Sequence, residues 1–294
     1  MADLALLVLT LFWGTTFLLV KNALAGTSTG AFLIMRFAVA TAALGLVWLA
    51  RRDRPTPGLW RHGLLLGLAM FGGFAFQTLG LRYTTPARSG FLTGLSVLVV
   101  PFIARFLLRR RVTGFAWVGV ALALLGLLAL TRPFGGQITP AVRLGDALTV
   151  GCAVAYAFQI VFTSEWSPRH PLPALVFLQV ATTLVCSTLL LPLEPLRVGG
   201  GPALAGTVLF TGLGMTAAAF FIMNWAQRHT TAVRAALIFS LEPVAAALFS
   251  NVVGGEPLGP YDLVGGGLIV LGVVAGELGG ALSARRDLPS EPMA

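Results

Sequence analysis

One heptapeptide occurs twice in this chain. RYTTPAR, from Arg82 to Arg88, returns 146 positions later as RHTTAVR, from Arg228 to Arg234. The register then holds without a gap for some forty residues, pairing Leu95 with Leu241, Gly119 with Gly265, Leu122 with Leu268 and Gly126 with Gly272. The chain is therefore two copies of one unit. The material of that unit is apolar: 56% of the 294 residues are hydrophobic and 11% are charged. Too little polar surface remains to cover a water-soluble globule, so the chain belongs in a bilayer.

A helix needs roughly 20 mostly apolar residues to cross the hydrocarbon core. Stretches of that kind lie at 4–25, 29–50, 62–82, 85–107 and 112–131 in the first copy, and at 145–164, 171–193, 203–226, 231–253 and 261–282 in the second. Five crossings per copy is an odd number, so the second copy enters the membrane from the opposite side. The expectation is an all-α protein of ten membrane helices in two inverted repeats, 4–131 and 145–282, with 283–294 as a cytoplasmic tail. Inverted repeats of this kind are an architecture of secondary transporters. The longest connections, at 51–61, 132–144 and 194–202, carry Pro or Gly and leave no room for a soluble domain.

The net charge of +9 would suggest nucleic acid in a soluble protein, but here arginine is confined to short segments between apolar runs. That placement is an orientation signal. With the N-terminus inside, the inner segments hold Arg51, Arg52, Arg54, Arg61, Arg105, Arg109, Arg110, Arg111, Arg169, Arg228, Arg234, Arg285 and Arg286. The outer segments hold Lys21, Arg82, Arg88, Arg132, Arg143 and Arg197. Both termini are expected in the cytoplasm. Ala23-Leu24-Ala25 resembles a signal-peptidase site, but the flank before the first run carries Asp3 and no Lys or Arg, so an uncleaved first helix is expected. Cys152 and Cys186 fall inside apolar runs and are expected as small buried side chains without a disulfide. Gly272, Gly276 and Gly280, like Gly63 and Gly67, recur at the spacing that lets helices approach closely in lipid. They serve either contacts within one bundle or, on the tenth helix, a homodimer face.

Several further motifs resemble the EamA-type transporters of the drug/metabolite transporter superfamily. They are Phe12-Trp13-Gly14, Arg36-Phe37, Gly145-Asp146, Leu241-Glu242-Pro243-Val244 and Gly255-Glu256-Pro257-Leu258, in that order over residues 4 to 282. The resemblance implies two five-helix repeats of opposite orientation and export of small metabolites, often amino acids, across the bacterial inner membrane.

Polar groups deep in a membrane helix are costly and mark candidate sites. Glu242 lies about 11 residues, or ~16 Å, into the ninth helix. It is either a proton-coupling or substrate-amine site, or a structural carboxylate bonded to helix ends beside the Pro243 break. Arg36 lies ~10 Å into the second helix and either snorkels outward or meets a carboxylate, of Glu242 or of substrate. Arg88 and Arg234 stand near the entrances of equivalent helices at opposite faces, as caps of neighbouring helix ends or as gates. Thr84-Thr85 and Thr230-Thr231 read as helix starts. Trp13 and Tyr156 occupy equivalent positions at a shift of 143, as do Asp3 and Asp146. With Gln77, Thr93, Gln159 and Asn224 they are expected to line a central pocket between helices 1, 3, 4, 6, 8 and 9.

His62, His170 and His229 fall at helix ends without metal-ligand spacing, and no nucleophile motif or Walker loop is present. No enzymatic role and no cofactor are expected. The partners expected are a small-molecule substrate, the bilayer and protons as coupling ion, for a monomer or homodimer that binds no nucleic acid. The function expected is export of amino acids or related amphipathic compounds by alternating access. A multidrug or quaternary-amine exporter and a passive channel are the alternatives.

Overall fold

A computed structural model describes residues 1–132, 139–254 and 258–286. Within them are ten apolar helices long enough to span a membrane: α1 (Ala2–Leu24), α2 (Thr29–Arg51), α3 (Leu59–Tyr83), α4 (Arg88–Leu107), α5 (Gly114–Thr131), α6 (Pro140–Arg169), α7 (Leu172–Leu193), α8 (Gly201–Gln227), α9 (Ala232–Phe249) and α10 (Pro260–Leu278). The chain is an all-α, multi-pass membrane protein. The face at which α1 begins is called the terminal face below, and the opposite one the far face. The helix of α10 continues through Arg286, into the stretch expected as a tail. The rest of that tail, and Gly255-Glu256-Pro257, lie outside the described residues.

Helix starts follow from side-chain chemistry. Thr85 and Thr231, the second threonines of the two heptapeptides, accept from the amides of Arg88 and Arg234 at 3.3 Å. Thr113 and Thr139 do the same for α5 and α6. Each supplies one acceptor to the orphan amides of a first turn.

The helices that matter most are broken. α1 is interrupted at Thr15, α4 at Leu95 and α9 at Ser240-Leu241, so the breaks in α4 and α9 fall at equivalent positions of the two repeats. In α9, Pro243 has no amide to offer the carbonyl of Phe239. In α8, Phe210–Ala218 is wound as a π-helix, which displaces backbone acceptors from their usual partners.

Inversion of the repeats is read directly from α5 and α10. A Cβ on Gly119 would lie 2.5 Å from the carbonyl of Gly272, and one on Gly126 would lie 2.5 Å from that of Gly265. Gly265 is the repeat mate of Gly119, and Gly272 that of Gly126. Each glycine meets the mate of the other, which requires equivalent helices to run antiparallel about a two-fold axis. Gly276 is taken up against Leu237 of α9, and Gly63 and Gly67 against Leu178 and Thr182 of α7. These glycines serve contacts within the chain; the side of Gly280 lies outside the described residues.

The remaining contacts sort the helices into two groups. α3 lies along α6 and α7, and α4 against α6; symmetrically, α8 lies along α1 and α2, and α9 against α1. The repeats thus exchange their third and fourth helices. Across the axis, α2 faces α7, α4 faces α9 and α5 faces α10.

Candidate functional site

The broken helices converge on a cavity of about 90 Å³ at the middle of the bundle. Its wall is aromatic: Trp13 lies 5.8 Å from Phe220 and 5.5 Å from Phe239, and Phe74 lies 5.7 Å from Tyr156. Gly73 makes room for this wall, since a Cβ there would stand 2.2 Å from the Tyr156 ring. Trp13 donates through Nε1 to the carbonyl of Met215 in the π-helical turn at 3.3 Å. The broken geometry of α8 thereby fixes the indole of α1.

Two charged groups face this cavity. Arg36 is 5% exposed. Its Nε donates to Thr216 Oγ1 at 2.8 Å, and its guanidinium carbon stands 4.7 Å over the Phe74 ring. Thr216 in turn donates to the carbonyl of Thr211 at 2.9 Å, so its remaining lone pair is aimed at the arginine. Arg36 has no carboxylate partner among the described residues, so its burial is offset by the Thr216 bond and the cation–π contact with Phe74. Glu242 opens the second half of α9 and is likewise without an ion pair or hydrogen bond among the described residues. Its carboxylate is at the positive end of a half-helix. Arg36 and Glu242 are not each other's partners, so the loose pairing entertained from their depths is not made.

Of the neutral residues, Gln77 donates to Thr93 at 3.3 Å, and Thr93 lies 3.8 Å from Cys152 Sγ. Gln159 donates to Gln179 at 3.5 Å. Trp13, Gln77, Thr93, Tyr156 and Gln159 all line the cavity with the two charges. Asn224 does not. It is fully buried, and its Nδ2 donates to the carbonyl of Phe220 one turn back at 2.8 Å. The π-helical stretch above it rotates the face of α8 and turns Met223 and Phe220 to the cavity instead.

Arg88 and Arg234 stand at the two ends of the bundle. Arg88 pairs with Asp146 of α6 at the far face; Arg234 pairs with Asp3 of α1 at 2.9 Å and with Glu277 of α10 at the terminal face. Asp3 and Asp146 are themselves repeat mates, so one contact is made twice by symmetry. Each arginine ties the start of a broken helix to the first helix of the other repeat. Thr84 adds a bond to Asp146 at 3.0 Å, whereas the hydroxyl of its mate Thr230 and Asp3 Oδ1 are buried without partners among the described residues.

Other contacts were not legible in the sequence. His62 and His170, 108 positions apart, meet at 2.7 Å on the terminal face, and Thr56 bonds the other nitrogen of His170 at 2.6 Å. Phe74, Phe220 and Phe239 carry no pattern that separates them from ordinary core. Cys152 and Cys186 are both free thiols.

The EamA-like transporter family model matches the chain twice, at residues 1–132 and 143–275. The chain is a member of the EamA-like transporter family. Among its relatives, an uncharacterized transporter of Archaeoglobus fulgidus is 33% identical over 273 residues, covering 93% of this chain and 84% of the relative. The Bacillus subtilis uncharacterized transporter YyaM is 25% identical over 280 residues, covering 92% and 91%. A solved crystal structure superposes with a TM-score of 0.79 over 98% of this chain and 99% of its own, at 21% identity, which establishes the shared fold. Each match takes in one of the two inverted halves, the second ending within α10.

Proposed function

We propose that this EamA-like transporter exports zwitterionic, amphipathic metabolites, with apolar α-amino acids as the type substrate, by alternating access through the central cavity. The single observation that carries this reading is that Arg36 and Glu242 face one aromatic chamber and neither has an ionic partner among the described residues. Arg36 is buried and Glu242 half-buried, and a charge withdrawn from water without a partner is costly. A ligand that brings a carboxylate to the guanidinium and an ammonium to Glu242 relieves both at once, while Trp13, Phe74, Phe220 and Phe239 hold its apolar part. A planar guanidinium suits a carboxylate, and a carboxylate beside aromatic faces suits an ammonium.

Glu242 is also the group through which protons couple to transport, because the carboxylate holds either the substrate ammonium or a proton. The protein resides in the bacterial inner membrane with the terminal face toward the cytoplasm. A multidrug or quaternary-amine exporter would use the same aromatic wall and Glu242. The unpaired Arg36 disfavours it, since a permanent cation would be repelled there.

The test is ligand-induced stabilisation of purified protein by three forms of one amino acid. The zwitterion is expected to raise the midpoint of unfolding, while its methyl ester and its N-acetyl derivative, each lacking one charge, bind at least about tenfold more weakly. Equal binding of the ester removes Arg36 from the site, and equal binding of the acetyl form removes Glu242.

A further inference from the structure

Each repeated heptapeptide begins with an arginine as well as ending with one, and these first arginines make a different kind of contact. Arg88 and Arg234 hold α4 to α6 and α9 to α1, within one helix group each. Arg82 and Arg228 cross between the groups. From the end of α3, Arg82 donates through Nε to Thr29 at 2.7 Å and through Nη2 to the carbonyl of Thr27 at 3.0 Å, both at the junction of α1 and α2. From the end of α8, Arg228 donates through Nε to Ser167 at 3.0 Å and through Nη2 to the carbonyl of His170 at 2.6 Å, both at the junction of α6 and α7. Thr27 and His170 are equivalent positions at the shift of 143 that aligns the first helices of the repeats. The same clasp is therefore built twice, once at each face, and each joins the two groups of helices.

The two clasps are chemically unequal. Arg82 is also paired, at 2.9 Å, with Glu194 at the end of α7 in its own group, and Glu194 crosses to the other group by accepting from the first amide of α2 at 2.5 Å. Arg228 has neutral acceptors only among the described residues. The far face therefore has one more charge-assisted bond between the groups, and bonds to an ion are stronger than bonds between neutral groups. The surroundings agree with this difference. At the far face, Lys21 of α1 reaches the carbonyl of Thr84 at 3.4 Å. The equivalent residues at the terminal face are Ser164 and Thr230, whose hydroxyls are buried and without partners among the described residues. They border a crevice of about 480 Å³ between the ends of α4 and α6 and the start of α9.

We propose that Arg82 and Arg228 are the two clasps of alternating access: each holds the helix groups together at its own face and lets go when the cavity opens to that face, the Arg228 clasp being the weaker. This rests on the transport reading above and adds to it the residues that set which side is open. The protein then rests with its cavity favouring the terminal face. Neither arginine touches substrate; both are positioning residues.

The experiment places a single reporter thiol at Gly90, which lines the cavity and has no atom within 4 Å of the position its Cβ would take. Full-length Gly90→Cys protein, with Cys152 and Cys186 replaced by alanine, is labelled with a membrane-impermeant maleimide in intact cells and in inverted vesicles. The ratio of the two rates is the readout. Arg228→Gln is expected to shift that ratio about tenfold toward the terminal face, and Arg82→Gln about tenfold the other way, the size of one charge-assisted bond. The double variant returns to within about twofold to threefold of the parent. Arg→Lys at either position keeps the charge but loses the fork, and shifts the ratio in the same sense by less; these variants carry the test if a glutamine variant does not fold. A ratio that moves in the same direction for both arginines, or stays within about twofold, overturns the clasps. A reporter that reacts from one face alone in every variant overturns alternating access itself, a separate result from unmoved rates at a reporter that both faces can reach.

Discussion

Replacing Gly126 by alanine tests the antiparallel seam between α5 and α10. The added Cβ would lie 2.5 Å from the Gly265 carbonyl, 2.6 Å from a side-chain carbon of Ile269 and 2.8 Å from its amide, where ordinary contact begins near 3.4 Å. Two of these atoms are backbone and cannot turn aside, so the helices must part by about 0.9 Å. A gap of that size forfeits a quarter to a half of the dispersion energy between the atoms it separates. Overpacking of this kind costs about 1–3 kcal/mol, or about 2 to 12 °C in the midpoint of thermal unfolding for a chain of this length class. The control is Gly267→Ala on the facing helix α10, where nothing lies within 4 Å. There the better helix propensity of alanine is expected to leave the midpoint unchanged or slightly raised. Thermal unfolding of both variants in the same detergent decides the matter. An equal loss at both positions would refute the seam, since only general intolerance of substitution would then be measured.

Other outcomes follow from the same contacts. Asp146→Asn removes the ion pair between Asp146 and Arg88 and is expected to cost about 2 kcal/mol, a partly exposed version of breaking a buried pair. Asp3→Asn costs clearly less, because Glu277 still holds Arg234; equal losses in thermal unfolding would contradict the assignment. Burial holds the His170 ring below the ordinary histidine value, and the neighbouring His62, Arg169 and Arg228 push it the same way. The neutral ring is therefore the bound form, and its bonds contribute fully above the ordinary value near ~6.5 and are lost as pH falls through the lowered one. Exchange protection of the 167–171 segment should drop on acidification in wild type and show no such step in His170→Gln. Glu242→Gln is expected to remove any dependence of export on a pH gradient, read as substrate flux in proteoliposomes with and without that gradient.

The heptapeptide and the odd number of spans were sufficient to read the inverted repeats, because both are linear properties of the chain. Glu242, Arg36, Trp13 and Tyr156 were legible for a related reason: a costly group at mid-depth is conspicuous in an apolar run. The exchange of α3 and α8 between the halves was not, since it depends on which face of each helix meets which neighbour. Asn224 shows the limit at a single residue. Its depth is readable, but the π-helical winding of Phe210–Ala218 alters which residues below it share a face, and each residue of slip turns a helix by about 100°. The acceptor for Arg36 is Thr216, at a separation of 180 positions, and no local pattern reports such a pair. Arg82 and Arg228 are the opposite case: they were in view from the start as the first letters of the repeat, but only the contacts distinguish their role from that of Arg88 and Arg234.

Counterflow in proteoliposomes tests the carrier reading most directly. Vesicles loaded with an unlabelled apolar amino acid and diluted into a trace of the labelled one should accumulate label transiently above equilibrium, with a saturable initial rate, and Arg36→Gln should abolish the overshoot. Label that rises only to equilibrium, at a rate linear in concentration and indifferent to the unlabelled load, would contradict a carrier with one shared cavity.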